Sequence, residues 1–189
     1  MTDLERTAGE LLVAGSLIFG FGASIGVPRV FTETDRQTRL RMLEERAAVW
    51  RFAQPLYAGG PVLAAVGVGV LARSAPSGPG QDLFVAAAVA LVIGSCLWAY
   101  SCMLRGLHIA DFALGRLPGW PFAGYALLTI SGLALLGSGL LNAGYPDWLG
   151  WLVLGSDVLF LGFYLRTSDL PPFVFYLLLL LVGVVVLGG

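Results

Sequence analysis

Hydrophobic residues in this chain fall into six long uncharged runs that are separated by polar segments. A helix needs roughly 20 apolar residues to cross a hydrocarbon layer about 30 Å thick, and the runs are close to that length. They cover about residues 9–27, 55–72, 83–104, 119–141, 148–165 and 172–187. The pattern predicts an all-α, polytopic integral membrane protein, in which about six transmembrane helices form one helical-bundle domain over residues 1–189.

A longer polar segment connects the first two runs and has a helical pattern of its own. Thr32 and Asp35 are spaced as the N-cap and third helical residue of a capping box. Apolar residues then recur every three or four positions, with charged residues between them: Leu40, Leu43, Ala47 and Trp50. We therefore expect one amphipathic helix over about residues 33–53 that lies along the membrane surface and bends into the second span at Pro55.

Arginine is distributed unevenly between the two sets of loops. Only Arg6 and Arg73 fall on one side of the six predicted spans. The other side holds nine arginines: Arg29, Arg36, Arg39, Arg41, Arg46, Arg51, Arg105, Arg116 and Arg166. Because cytoplasmic loops are rich in basic residues, the pattern predicts that both termini lie outside and the surface helix lies in the cytoplasm. The expected location is the cell membrane or inner membrane.

The composition supports a membrane protein and excludes several functional classes. Charged residues make up 12% of the chain, about half the fraction in soluble domains, and the mean hydropathy is +0.82. A net charge of −1 gives no reason to expect a nucleic-acid partner. The chain has one histidine, His108, and two cysteines. A bis-histidine haem and a cysteine-ligated iron–sulfur cluster are therefore excluded, and we expect no cofactor.

Small residues recur at four-residue spacing in three of the predicted spans. This spacing lets helix backbones approach closely in lipid, where packing rather than hydrophobicity drives helix association. The residues are Gly22 and Gly26, Ala65 and Gly69, and Ala86, Ala90 and Gly94. We expect these faces to pack helices within the bundle. They also offer contacts to other membrane subunits or to a second copy of the chain.

Asp157 is the most unusual residue of the sequence, because it lies near mid-depth in an otherwise apolar span. A carboxyl group there is costly and marks a functional or interhelical contact by default. Counting from the span ends places Thr129, Ser131 and Ser95 at a similar depth. Two interpretations remain open: a hydroxyl-bonded clamp between helices, or a site that handles protons or cations. Asp157 is expected to be protonated or reached by water.

The same span carries a second distinctive face. Gly155 and Gly162 form a glycine stripe that points away from Asp157. If that stripe packs on a neighbour while Asp157 also avoids lipid, the helix needs partners on both sides. This interpretation places the fifth span towards the centre of the bundle.

Two further groups of residues are candidates for sites. Arg105, His108 and Asp111 are three residues apart at the inner end of the third span, a spacing that puts them on one broad helix face. His108 and Asp111 could then support acid–base chemistry, but solvated interfacial residues are the better explanation of the spacing. The surface helix is most simply a solvated connector with an apolar underside. The functional alternative is a docking face for a protein or an anionic lipid through Arg36, Arg39, Arg41 and Arg46.

Three functional classes follow from these features. A non-catalytic accessory or assembly subunit of a membrane complex is favoured, because the loops are short and no catalytic cluster is evident. The first alternative is a small proton- or cation-coupled transporter that uses Asp157. The second is a membrane-interface enzyme that uses His108 and Asp111, and an enzyme is the least expected class. Besides the lipid bilayer, the expected partners are other membrane subunits.

The arginine distribution gives a testable topology. Reporter domains fused after Arg73 and at the C-terminal end of the chain should report the outside, whereas a reporter inserted near Arg41 should report the cytoplasm. Enzymatic reporters that are active on only one side of the membrane measure this directly. The reverse pattern would contradict the orientation and the cytoplasmic position of the surface helix.

Overall fold

The computed structural model describes residues 2–188, and every regular element in that range is helical. A 3₁₀ turn, Pro28–Phe31, lies among eight α-helices. They are α1 (Asp3–Ile25), α2 (Arg36–Glu45), α3 (Ala47–Ser74), α4 (Pro79–Leu107), α5 (Ile109–Ala113), α6 (Trp120–Asn142), α7 (Asp147–Thr167) and α8 (Phe173–Gly188). Five of these, α1, α3, α4, α6 and α7, are long and apolar enough to cross a membrane, while α8 is apolar but has only 16 residues. The six-span count stays a prediction.

The long helices pack mainly on their neighbours in the chain. Helix α1 lies between α8 and α3, and the row continues through α4 and α6 to α7. Aromatic side chains connect α8 to the far end of this row. The hydroxyl groups of Tyr125 and Tyr176 are 3.1 Å apart, and the ring centroids of Phe160 and Phe175 are 5.1 Å apart. The six apolar helices therefore enclose a shared aromatic core.

Glycines bring α1 and α3 into backbone contact. A Cβ atom added at Gly15 would lie 2.7 Å from the carbonyl oxygen of Gly60, and one added at Gly60 would lie 2.6 Å from that of Gly15. Neither distance is sterically possible, so both positions require glycine. Gly22, which the sequence pattern singled out, also packs on α3, since its added Cβ would lie 2.9 Å from the Cβ of Leu56.

The small residues of α4 behave differently from the expectation. Gly94 is buried against α6, but Ala86 is exposed and Ala90 is only partly covered. The packed stripe of α4 instead includes Ala87 and Leu91. The prediction of a small-residue face at Ala86 and Ala90 is therefore wrong, because the larger side chain of Leu91 lies in the α4 interface.

Two prolines lie inside α3, and one of them shapes the core. Proline has no backbone N–H, so Pro61 leaves the carbonyl group of Tyr57 without its usual donor four residues later. Trp98 of α4 supplies the missing donor, and its Nε1 lies 2.8 Å from the carbonyl oxygen of Tyr57. This hydrogen bond fixes the Trp98 ring between α3 and α4 in the middle of the aromatic core.

The connection between α1 and α3 differs from the predicted single helix. Helix α2 begins at Arg36 because Asp35 is its N-cap, accepting a hydrogen bond of 2.7 Å from the backbone N–H of Thr38. The predicted N-cap at Thr32 is therefore wrong. The side-chain and backbone hydrogen bonds from Thr38 lower the pKa of Asp35 below its ordinary value. Helix direction changes at Arg46, which has φ −122° and ψ 29°, and not at Pro55, which lies inside α3.

Helices α2 and α5 form a small layer at one end of the bundle. Leu43 of α2 and Trp50 of α3 are fully buried there. They pack in a separate apolar cluster with Val27 and Val30 from the segment after α1, and with Ile109 and Ala113 of α5. We call α2, α5 and this cluster the end layer, which lies on the cytoplasmic side in the predicted orientation.

The hydrogen bond from Trp98 to Tyr57 gives the first stability prediction. Trp98→Phe keeps an aromatic ring but removes the N–H, so we expect the free energy of unfolding to fall by about 1 kcal/mol or more. Pro61→Ala restores a backbone donor within α3, and in that background Trp98→Phe should cost less. Unfolding of all four proteins in detergent, analysed as a double-mutant cycle, measures the coupling.

The matched control for this cycle is Trp120→Phe. Trp120 is 59% exposed, and the same loss of an indole ring should therefore leave stability nearly unchanged. Trp98→Phe could instead lower the free energy of unfolding equally with and without Pro61. That result would contradict the proposal that Trp98 replaces the donor missing at Pro61.

Candidate functional site

Asp157 lies at the middle of α7 and is only 6% exposed. It shares one helix face with Gly150 and Val153, which are seven and four residues earlier. That face packs on α6, because a Cβ atom added at Gly137 would lie 3.1 Å from the carbonyl oxygen of Gly150. The carboxyl group therefore lies on the packed side of α7 and away from the outer surface of the bundle.

The structure does not bring the expected hydroxyl groups to Asp157. Its Oδ1 atom is buried and has no hydrogen-bond partner within residues 2–188. Thr129 is buried on the side of α6 that faces α4, since its Oγ1 lies 3.6 Å from a Cβ position at Gly94. Ser131 is exposed, and Ser95 is buried on α4. An unpaired buried oxygen costs free energy, so Asp157 is an expensive residue at its position.

The glycine stripe of α7 is on the outer surface. Gly155 and Gly162 are exposed, and added Cβ atoms would meet nothing within 4 Å. Along its backbone α7 packs closely on α6. The placement of α7 at the bundle centre, which assumed two packed faces, is therefore wrong: the glycines face outward and the helix lies at the edge.

The three residues of the predicted interfacial site separate into two groups. Helix α4 ends at Leu107 and α5 begins at Ile109, so the backbone changes direction at His108. His108 and Asp111 point outward, and the distance between His108 Nδ1 and Asp111 Oδ2 is 3.9 Å, longer than a hydrogen bond. Asp111 also lies 4.0 Å from Arg116. Arg105, by contrast, points inward.

The side chain of Arg105 is held between two aromatic rings. Its Cζ atom lies 4.8 Å from the ring centroid of Trp98 and 5.3 Å from that of Phe112. A cation over the face of an aromatic ring is attracted by the ring quadrupole, with tryptophan the strongest partner. The two rings therefore fix the guanidinium group in an apolar environment.

Trp50 supports this arrangement from the end layer. Its ring stacks on Phe112 with centroids 5.2 Å apart and an interplanar angle of 18°. Its Nε1 donates a hydrogen bond of 3.0 Å to the carbonyl oxygen of Arg105. That carbonyl belongs to the last turn of α4, where helix carbonyls lack intrahelical partners. Trp50 thus fixes both the backbone of Arg105 and one of the two rings at its side chain.

Arg105 lines a cavity of about 390 Å³ at the same end of the bundle. The lining is largely apolar, and it includes aromatic side chains from α1, α3, α4 and α6: Phe19, Tyr57, Trp98 and Phe122. Asp169, in the loop before α8, also lines the cavity. We call this space the Arg105 cavity. Asp169 was not among the predicted site residues, although an acid at the end of an apolar run, on the same side as Arg105, was a usable signal.

The basic residues of the end layer differ in exposure. Arg36, Arg41 and Arg46 are exposed and form no ion pair with any residue that the structure describes. Arg39 is half-buried and donates from Nη2 to the carbonyl oxygen of Glu33 at 2.8 Å. Arg39 therefore supports the start of α2, while the three exposed arginines are free to meet a partner.

Comparisons with known proteins assign no family to the chain. No protein-family model, no curated protein and no solved structure matches the chain.

Proposed function

We propose that this chain is a non-catalytic, multi-pass membrane protein that serves as an accessory or assembly subunit. Its end layer is the surface that binds an acidic segment of a partner protein on the cytoplasmic side. The observation that carries the proposal is the combination of α2, anchored by the buried Leu43, with three exposed arginines that form no ion pair within residues 2–188.

The anchoring of α2 supports a role beyond that of a connector. The 21 residues between Ile25 and Ala47 are far more than the roughly 2–8 residues that usually connect helices in a bundle. Leu43 is fully buried in the end layer, and Asp35 caps the helix with a side-chain hydrogen bond. A fixed helix presents its charges without a large loss of conformational entropy on binding.

The charges of α2 indicate the chemistry of the partner. Arg36, Arg41 and Arg46 are exposed and form no ion pair in the part of the chain that the structure describes. Arg41 donates only to the Thr38 hydroxyl, at 3.3 Å. Guanidinium groups pair with carboxylates through two parallel hydrogen bonds. An acidic protein segment is therefore the complementary surface.

Catalysis is a weaker explanation of the same residues. His108 and Asp111 are too far apart for a hydrogen bond, at 3.9 Å, and both side chains are about half-exposed. Among residues 2–188, no cluster of three or more His, Cys, Asp or Glu side chains could hold a metal ion.

Charge reversal tests the docking proposal. The triple variant Arg36→Glu, Arg41→Glu and Arg46→Glu should lose most of its partner, because three attractive contacts become repulsive. Partner recovery after gentle-detergent purification, normalised to the folded protein, measures the effect. Arg39 stays unchanged, since it supports α2 through Glu33.

Arg73→Glu is the control, because it reverses one charge at the other end of the bundle and should not change recovery. Equal recovery from the triple variant and the unmodified protein would contradict docking through α2. Loss of binding only to liposomes that contain anionic lipid would show that α2 meets the membrane surface and not a protein.

A second candidate function, proton- or cation-coupled transport, rests on Asp157. Its Oδ1 atom is buried and has no hydrogen-bond partner among the described residues. Residues kept at a cost in stability are often kept for function. Transport would require the carboxyl group to gain and lose a proton or a cation as the α6–α7 contact opens.

Two substitutions distinguish this candidate from a purely structural residue. Asp157→Leu should raise the free energy of unfolding by about 1 kcal/mol, because an unpaired buried polar group is removed. Asp157→Asn should change stability little. If Asp157 transports protons, both variants should abolish a pH-gradient-driven flux in liposomes. Thermal unfolding in detergent and the flux assay are the measurements.

Val158→Leu is the matched control, since Val158 is the next residue and is 69% exposed. It should affect neither property. Wild-type flux from Asp157→Asn, or no flux from the unmodified protein, would exclude the transport function. A loss of stability in Asp157→Leu would indicate that the carboxyl group has a favourable partner.

A further inference from the structure

The Arg105 cavity contains a cation that has no hydrogen-bond acceptor among the residues that the structure describes. Arginine stays protonated in proteins and has five N–H donors. Within residues 2–188, the Arg105 guanidinium forms no hydrogen bond and no ion pair within 4.0 Å, although Trp98 and Phe112 hold it in place. A planar guanidinium group fixed in this way is suited to two parallel hydrogen bonds with a phosphate.

Asp169 places an opposite charge in the same cavity. Its Oδ1 atom accepts a hydrogen bond of 2.8 Å from the backbone N–H of Leu170, which fixes the carboxyl group before α8. Asp169 and Arg105 both line the cavity but are too far apart for an ion pair. A ligand with a phosphate and an amine separated by a short linker would satisfy both groups.

An apolar groove joins this cavity on the outer surface of the bundle. The groove has a volume of about 410 Å³ and runs between α1 and α8, with Leu17, Phe21, Leu177 and Leu180 in its lining. Phe173 lines both the groove and the Arg105 cavity. A cavity with two charged groups beside an exposed apolar groove fits an amphiphile better than a soluble ligand.

The position of the cavity along the helices matches that of a lipid headgroup. Its lining residues come from the ends of α1 and α4 and from the starts of α6 and α8, as Ala23, Arg105, Phe122 and Phe173 show. These helix ends lie at one edge of the predicted hydrocarbon layer. The groove extends from that edge towards the middle of α1 and α8, in the direction that an acyl chain takes.

We infer that the Arg105 cavity and the adjoining groove bind a zwitterionic phospholipid of the ethanolamine type. The phosphate pairs with Arg105, the ammonium group meets Asp169, and one acyl chain lies between α1 and α8. This site is separate from the exposed arginines of the end layer, so it goes beyond the proposed docking function.

The test uses the full chain in a neutral detergent after removal of bound lipid. Phosphatidylethanolamine and phosphatidylglycerol with identical acyl chains are added separately, and native mass spectrometry measures the apparent Kd of each. The unmodified protein should bind the ethanolamine lipid more tightly. Arg105→Gln should weaken that binding about tenfold, because charge-assisted hydrogen bonds to the phosphate are lost.

Asp169→Asn tests the contribution of the carboxylate independently of that of Arg105. It keeps the size of the side chain but removes the attraction for the ammonium group, so the preference for ethanolamine over glycerol lipid should disappear. Arg116→Gln is the matched control, since Arg116 is an exposed arginine at the same end and should leave both affinities unchanged. Asp169 is exposed, so its variant keeps the test decisive if Arg105→Gln does not fold.

Three results would overturn the inference. Equal affinity of the unmodified protein for both lipids would remove the role of the zwitterion. Unchanged affinities in folded Arg105→Gln or in Asp169→Asn would place the lipid elsewhere. Free phosphoethanolamine that binds as tightly as the lipid would show that the cavity holds a soluble phosphate compound and that the groove holds no acyl chain.

Discussion

The hydrogen bond from Trp98 to the Tyr57 carbonyl determines much of the arrangement around it. Pro61 creates the need for it by removing a donor from α3, and an unpaired carbonyl in an apolar interior is expensive. Trp98 meets this need across the α3–α4 contact at 2.8 Å. The ring is then fixed against Phe19, with centroids 6.4 Å apart, and under the guanidinium of Arg105 at 4.8 Å. One proline in α3 therefore sets the position of an aromatic surface on α4.

The helical segments were predictable because the bilayer restricts the possible structures so strongly. A chain that crosses hydrocarbon must satisfy its own backbone groups, and each uncharged run of the sequence lies largely in a helix. The facing of α7 was predictable in part, since helical periodicity puts Gly150 and Val153 on the side of Asp157. The residues that face this side of α7 were not predictable, because the depth of a residue in the bundle does not determine its direction around the helix axis. Thr129 lies at a suitable depth, yet its hydroxyl is directed towards α4.

The helix boundaries and sites predicted from the sequence differ from the structure where the local pattern allowed more than one structure. Thr32 and Asp35 are both good N-cap residues, and spacing alone did not decide between them. At the end of α4 the i, i+3 rule assumed a continuous helix through Asp111, whereas the helix ends at Leu107. Arg105 is still within α4 and points inward, whereas His108 lies at the break and is exposed. Asp169 lines the same cavity as Arg105 only because the loop before α8 packs there, which no local pattern encodes.

The end layer and the Arg105 cavity are connected through one side chain. Trp50 is fully buried beside Leu43 of α2, and it donates to the Arg105 carbonyl at 3.0 Å. Its ring also stacks on Phe112, which is the second aromatic ring in contact with the Arg105 guanidinium. Any change that shifts α2 on the bundle must therefore move Trp50 or leave a void beside it, and close-packed interiors do not tolerate such voids without cost. Because Trp50 belongs to both regions, the geometry of the cation in the cavity depends on how α2 is seated.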